Sequence, residues 1–556
     1  MKNEKIKKYL ACFLTATCMM SMLTGCGNTE VKQTEKTEES KKESTEAAST
    51  STENASEESV EEPAGVTYPM ENVTLTIALL EESAITSYYN DISETPFGQA
   101  WQEATGVTLE VQQYADNAAL NLMIASGELP DIIYFDWAKY NGGIYQAVKD
   151  GVVAPMSDYA EFAPDYMALL ASNDTYRKGA TTSDGNIAGF NKFKGDPYLL
   201  TSAGLIVRQD FLDKVDMEAP VTADDLYDVL VAFKNELNIE KPMSINLSHM
   251  NIIIDHGVIT TPFGLPKGDF YVEDGKIYYG CYDAEYKDVL AYLNKLYDEG
   301  LLDPEFATIS ASVANANFMN GVSGVINQSV GGGLGTFIAT MADDPTWDAT
   351  GFGPLVTQEG EIPMSTHIAS PVDGNVAVIT TACKNKEAAA QFLNYGYTEE
   401  GHMLFNFGIE GVSYEMVDGY PTYTDVIMNN EEGLSMQQAM IQYHRAAHGA
   451  PFVQDKRYME QYSNYPQQKA ALEKWITSNA LDYLVPALVI PEEYSSEYDK
   501  LWADIKTYVA EMRIQYITGL KDLDAFESEY IATLKEMGIE RILEIKQMAY
   551  EEYEAR

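Results

Sequence analysis

The run Val73-Thr74-Leu75-Thr76-Ile77-Ala78-Leu79 alternates large apolar residues with small or polar ones, the period of a strand that buries one face. Working outward, Phe97–Thr105 predicts a helix stopped by Gly106, and Val107, Leu109 and Val111 then alternate again. Ala118–Ser126 predicts a second helix stopped by Gly127, and Pro130 precedes the apolar strand Ile132-Ile133-Tyr134-Phe135. The order β-α-β-α-β predicts a parallel sheet with helices on its faces. Ligands of such sheets lie beyond the carboxyl ends of the strands. Glu81-Glu82 and Asp136-Trp137 fall at two of those ends.

Helical periods dominate further along. Tyr286, Val289, Leu290, Leu293, Leu296 and Tyr297 trace one face, stopped by Gly300. Asn385–Asn394 predicts another helix, with Ala389, Phe392 and Leu393 inward. Near the C-terminus, Tyr498, Leu501, Trp502, Ile505, Tyr508, Val509 and Met512 form a stripe ending at Gly519, and Ala525–Met537 and Ile542–Tyr553 continue the pattern. A chain of 556 residues is too long for one ordinary core. Its formal net charge of -48 argues against nucleic acid as a partner, because phosphate neutralisation needs clustered Lys and Arg.

The N-terminus predicts export. Met1–Lys8 holds four lysines against one glutamate, and the apolar run Tyr9–Leu23 suits a signal peptide but is short for a membrane span. Leu23-Thr24-Gly25-Cys26 resembles the lipobox of bacterial lipoproteins. Residues 1–25 are therefore expected to be removed, with Cys26 lipidated. Two acyl chains anchor a protein stably where one does not. Residues 26–66 read as an acidic Ser/Thr/Glu-rich tether, with too few large apolar residues for a core. Cys281 and Cys383 have no zinc-type spacing and are left either to pair or to remain two isolated thiols.

Several stretches carry a family resemblance. Ala125-Ser126-Gly127-Glu128-Leu129-Pro130-Asp131-Ile132 resembles an element of family 1 extracellular solute-binding proteins, most nearly the long lipoprotein members of Gram-positive bacteria. Val207–Leu212, Val272–Ile277, Tyr292–Tyr297, Gly300–Phe306, Gly408–Tyr414 and the tail from Met537-Gly538 to Tyr553 are similar to the same family, in the same order. The resemblance implies an α/β, periplasmic-binding-protein-like fold: two α/β lobes, a central ligand cleft and a helix-rich C-terminus. Lobe 1 is expected over about 67–200 and 370–430, and lobe 2 over about 201–369 and 431–556. It further implies a carbohydrate ligand, with an oligosaccharide preferred because the long chain leaves room for an extended cleft, ABC permease subunits as partners and a place at the extracellular face of the cell membrane. Some relatives insert a calcium-loop-like segment; Lys234–Pro242 here lacks alternating acidic ligands, so no metal is expected there, and no cofactor elsewhere.

Sugars present hydroxyls and flat apolar faces, which clefts meet with carboxylates, amides, Arg and aromatic rings. Trp137 and Asp136 are candidates at the end of one strand, and Glu82 at the end of another. Arg208 stands where lobe 2 begins, with pairing to Asp210 as its alternative role. Trp347 lies in a loop after the Gly-rich Gly331–Gly335, which reads as a flexible cleft loop. Asn375 belongs to the turn before a returning hinge strand, Val376–Ile379. Tyr443 and Arg445 flank His444 in a polar-aromatic cluster. No GxSxG, HExxH or GxxxxGK[ST] motif is present, and His444 with His448 lacks a third metal ligand. A surface-anchored glycosidase or esterase, with turnover of sugar polymers, and an adhesin stand as alternatives.

Overall fold

A computed structural model describes residues 66–556; Cys26, the signal peptide and the tether up to residue 65 lie outside the described residues. The chain runs through β1 (Val73–Leu80), α1 (Pro96–Thr105), β2 (Val107–Tyr114), α2 (Asn117–Ser126), β3 (Ile132–Asp136), β4 (Val153–Ala154), β5 (Phe190–Lys194) and β6 (Ala203–Arg208). It continues with α3 (Leu247–Asp255), β7 (Phe270–Glu273), β8 (Lys276–Tyr279), α4 (Tyr286–Asp298), β9 (Val325–Ser329), β10 (Ala349–Phe352), β11 (Val372–Thr380), α5 (Lys386–Asn394) and α6 (Glu399–Phe407). After the hairpin β12–β13 (Tyr414–Val417, Tyr420–Tyr423) come α7 (Met436–Tyr443), β14 (Val453–Gln454), α8 (Pro466–Ile476), α9 (Glu492–Ile517) and α10 (Ile539–Ala555), with further helices between these elements.

The start of α1 shows how sequence sets local structure. Thr95 Oγ1 accepts the Gly98 N–H at 3.0 Å and Pro96 occupies the first turn. Gly106 ends the helix at φ 72°, where a Cβ would sit 2.0 Å from the Met70 carbonyl oxygen, so only glycine turns the chain into β2. The helix then packs by its aromatics: Trp101 stacks on Phe392 at 4.3 Å and Phe97 meets Phe405 edge-on at 5.0 Å. Residues 386–407 thereby return to the first lobe.

That lobe is built on a sheet ordered β14-β5-β11-β3-β1-β2, with β4 beside β11. β1 runs parallel to β2 and β3 as expected, but β11 enters between β3 and β5 antiparallel to both, so the sheet is mixed. β11 arrives from the second lobe as a return crossing, which no βαβ unit imposes. Leu75, Ile77 and Leu79 face the layer holding Phe97 and Trp101; Ala78, Ile133 and Phe135 face Leu120, Met123 and Ile124. Both faces are covered, as parallel pairing requires.

The second lobe centres on the antiparallel sheet β10-β6-β9. Trp475 of α8 donates its Nε1–H to the Phe352 carbonyl at 2.8 Å. The expected face of α4 is buried, and beside it on α9 lie Ile505, Val509, Met512 and Tyr516. The helix expected over Ala525–Met537 is α-helical only from Ala532; Phe526–Ile531 forms a π turn, whose wider spacing buries both Phe526 and Ile531. The lobe limits also differ from expectation near residue 430. Ile441, Ala450 and Phe452 pack in the first lobe and β14 joins its sheet, whereas Tyr414, Tyr423 and Ile427 pack in the second. Finally, α10 spans both lobes. Its Gln547 accepts the Ile277 N–H at 2.8 Å, while Arg177 donates to the Arg556 carbonyl at 2.7 Å.

Cys281 and Cys383 are free, buried, and in different lobes, which settles the open pairing as two isolated thiols. Among the described residues no helix is long and apolar enough to cross a membrane.

Candidate functional site

β1 and β3 end side by side, and the chain turns there into Glu82 and Asp136. A cavity of about 200 Å³ opens at this edge. Its floor is apolar, with Ile77, Phe97 and Trp101, and its polar side holds Glu82, Tyr134, Asp136, Asn375 and Arg445. Four sequence candidates, Glu82, Asp136, Asn375 and Arg445, are thus brought together. Asn375 stands opposite Asp136 in the β11–β3 register, and its amide donates to Asp373 Oδ1 at 2.9 Å.

Arg445 organises the cluster. It is 1 % exposed, donates from Nε and Nη2 to the Gly449 carbonyl at 3.2 and 3.0 Å, and pairs through Nη2 with Glu82 Oε1. The other Glu82 oxygen lies 3.6 Å from His448 Nδ1. Lys192, at the centre of β5, donates to the His448 carbonyl at 2.6 Å. Burial pulls the Lys192 ammonium down to about 8, against the opposing pull of Asp373. Burial, with Arg445 and Lys192 adding to it, holds the His448 imidazole down to about 3, so it is neutral at pH 7. The Tyr134 hydroxyl is pushed well up, by burial first and Asp373 second.

Four buried polar atoms here have no hydrogen-bond partner among the described residues: Tyr134 Oη, Arg445 Nη1, His448 Nε2 and Gln442 Nε2. Buried polar groups are nearly always paired, so a group of orphans on one edge marks a place where an outside polar molecule completes the bonding. The set offers a carboxylate to accept hydroxyl protons, a guanidinium and an amide to donate, and aromatic and aliphatic walls.

The remaining candidates are placed elsewhere. Trp137 is 2 % exposed, packed on Phe135, and donates its Nε1–H to the Val376 carbonyl at 3.1 Å, so its ring serves the core and not the cavity. Arg208 forms the alternative pair with Asp210, through Nε at 2.7 Å and Nη2 at 3.0 Å, and lies over the rings of Phe211 and Trp347. Trp347, 8 % exposed, is thereby part of the second core. Tyr443 is half-buried against that core at the end of α7. Gly331–Gly335 is not a loose loop but a π turn, in which a Cβ on Gly331 would fall 2.2 Å from the Tyr462 ring. His444 is stacked on Tyr423 at 5.3 Å.

Reading the sequence missed Tyr134, Lys192, Gln442 and His448 as site members. One signal was available: Asn191 and Lys192 interrupt the otherwise apolar Phe190–Phe193, and both are buried. Tyr134 sits inside an apolar strand, where only the tertiary structure reveals its unpaired hydroxyl.

Known proteins share this architecture. The alginate-binding protein AlgQ2 superposes with a TM-score of 0.69 at 23% identity, over 88% of this chain and 99% of its own. Lipoprotein LipO of Bacillus subtilis is 24% identical over 472 residues, 82% of this chain and 89% of LipO. The fructooligosaccharide ABC transporter substrate-binding protein FusA of Streptococcus pneumoniae is 23% identical over 527 residues, 88% and 93% of the two chains. These are named as lipoprotein and binding proteins, not as enzymes, and the fold is the two-lobed, periplasmic-binding-protein-like one. A family model described as bacterial extracellular solute-binding protein matches residues 97–405, and the chain belongs to that family.

Proposed function

We propose that this protein is the solute-capturing lipoprotein of an ABC importer, held by Cys26 at the extracellular face of a Gram-positive cell membrane, and that its solute is a carbohydrate. The observation that carries the reading is the edge at β1 and β3, where Glu82 and the orphaned Tyr134 Oη and Arg445 Nη1 line an apolar-floored cavity, with the orphaned His448 Nε2 and Gln442 Nε2 on nearby residues. The names of FusA and AlgQ2, both saccharide binders, point the same way. An oligosaccharide is favoured. The cavity of about 200 Å³ is smaller than the roughly 300–1,000 Å³ of ordinary small-molecule sites, so it suits one end of a longer ligand.

The mechanism follows from linkage. A ligand that touches both lobes binds the closed arrangement better than the open one and shifts the population by that difference. The permease then distinguishes loaded from empty protein by shape. Tyr134 and Arg445 gain partners only when hydroxyls arrive, so closure without ligand leaves them unpaired at a cost of about 1–3 kcal/mol each.

Thermal unfolding of the full chain across mono- and oligosaccharides, uronic oligomers and short peptides tests this. Ligand at 100 times its dissociation constant stabilises by about 2.7 kcal/mol. A shift with one glycan class, with the glycan recovered intact, supports the reading. Consumption of the glycan, or no shift with any compound, refutes it. Replacing Cys26 by Ser tests the anchor: the protein should move from the membrane fraction to the medium.

A further inference from the structure

Beyond Lys192, on the same face of β5, Lys194 leads from the site to a second cluster of different character. Ala369 donates to the Leu200 carbonyl at 2.8 Å and Lys194 to the Pro371 carbonyl at 2.9 Å, so the segment preceding β11 lies along the end of β5. On that segment Ser365 Oγ donates to the His256 carbonyl at 3.1 Å, and the rings of His256 and His367 meet edge-on with centroids 4.5 Å apart. Gly257 abuts Pro266 so closely that a Cβ would fall 2.1 Å from its carbonyl oxygen, which brings Lys267 to the same place.

The cations here lack a direct partner. Lys267 is 8 % exposed, yet its ammonium has neither a hydrogen bond nor an ion pair within 4.0 Å among the described residues. The neighbouring carboxylates act on Lys267 only from beyond that distance: Asp255 pairs with Arg513, and Asp269 Oδ1 accepts the Phe270 N–H at 2.7 Å. Lys194, half-buried, also lacks a partner for its ammonium. His249, His256 and His367 each bury an Nδ1 with no partner. Burial, then the adjacent His367 and Lys267, lowers His256 to about 3; burial, then Lys194 and Lys267, lowers His367 to about 4. In a chain with 85 acidic and 37 basic residues, no carboxylate stands within 4.0 Å of either ammonium among the described residues, and Asp255, Asp269 and Asp373 act on them only from farther away.

We infer that this cluster receives an acidic group on the saccharide, a uronate carboxylate or a sulfate ester, with Lys267 as its principal cation and Lys194, His256 and His367 beside it. The inference rests on the saccharide reading above and deepens it. A partly buried ammonium without a direct partner is poorly compensated, and a charge-assisted hydrogen bond from an anionic ligand removes that penalty. A neutral sugar supplies only hydroxyl dipoles and leaves the charge uncompensated.

Calorimetric titration of the full-length chain in detergent decides it. The probes are oligogalacturonides, alginate oligosaccharides and sulfated carrageenan oligosaccharides, each beside its carboxyl-reduced or desulfated neutral counterpart, together with fructo- and manno-oligosaccharides. The expected result is at least tenfold tighter binding of one acidic form than of its neutral counterpart; which arm shows it identifies carboxylate or sulfate. Lys267→Met should abolish that margin and Lys267→Arg should retain most of it. If Lys267→Met fails to fold, the acidic-to-neutral ratio of the unmodified protein still decides. Neutral counterparts binding as tightly, or neutral oligosaccharides binding where acidic ones do not, overturn the inference and leave the saccharide reading standing. No binding of any saccharide overturns both.

Discussion

Glu82 and Arg445 form one ion pair but are not equivalent, because their burial differs: the arginine side chain is 1 % exposed and the carboxylate 29 %. Removing Glu82 strands a charge in the interior, where the cost of breaking a buried pair falls at about 3 kcal/mol. Removing Arg445 strands a carboxylate that water can reach. Glu82→Ala is therefore expected to destabilise by about 3 kcal/mol and Arg445→Met by roughly half that, read from urea midpoints, with both losing solute affinity about tenfold. Equal costs would contradict the burial argument. Trp137 and Asp210 supply the contrast. Trp137→Phe should cost about 1–2 kcal/mol through the lost bond to Val376, and Asp210→Asn about 2–3 kcal/mol through the lost pair with Arg208. Neither should change solute affinity. An affinity loss in Trp137→Phe would return that ring to the site.

Among elements, the Gly-rich turn Val330–Gly335 makes the sharpest claim. Its glycines serve close approach, since Tyr462 and Gln468 press on Gly331 and Gly335 where side chains would stand. Gly331→Ala should cost about 1–3 kcal/mol by overpacking, and Tyr462→Leu in the same chain should recover part of it; thermal unfolding of the single and double variants reads the coupling. A neutral Gly331→Ala would mean the turn is as loose as its composition suggests. Composition misled here because a run of glycines reports permitted conformations, not what packs against them. Elsewhere local pattern served well. The alternation at Val73–Leu79 and the stop at Gly106 are short-range facts, and β1, α1 and β2 follow them. The insertion of β11 between β3 and β5 was not legible, because pairing across some 240 residues leaves no periodic trace. The site was legible in part for the same reason: Glu82 and Asp136 are given by strand ends, whereas Tyr134 and His448 belong to it only once the segment 442–451 is folded against β1 and β3.

Across the whole molecule, buried histidines set the response to acid. His256, His444 and His448 are lowered to about 3 and His367 to about 4, in each case by burial first. The unfolded chain takes up protons on these groups near pH 6.5 and the folded chain does not, so the stability they confer is complete above pH 6.5 and is lost as pH falls towards 4 and 3. His444 alone accounts for about 2 kcal/mol between pH 6.5 and 5. Asp283 opposes the trend. Burial raises its carboxyl to about 6, so it binds its proton in the folded state first and gives stability back between pH 6 and 4. Asp455 acts lower down: burial raises it, but bonds from His402 and Arg457 outweigh that and hold it below the usual range, so its contribution is lost only as pH falls through and below 3.8. At pH 5 the balance is roughly four protons from the histidines less one from Asp283, a net uptake of about three on unfolding. Urea unfolding between pH 4.5 and 5.5 measures this slope directly. His444→Phe keeps the stacking surface against Tyr423 and should reduce the slope by one proton. A slope below one proton in the unmodified chain would mean that these imidazoles are charged in the folded protein, and that water or a counter-ion reaches the interior where they lie.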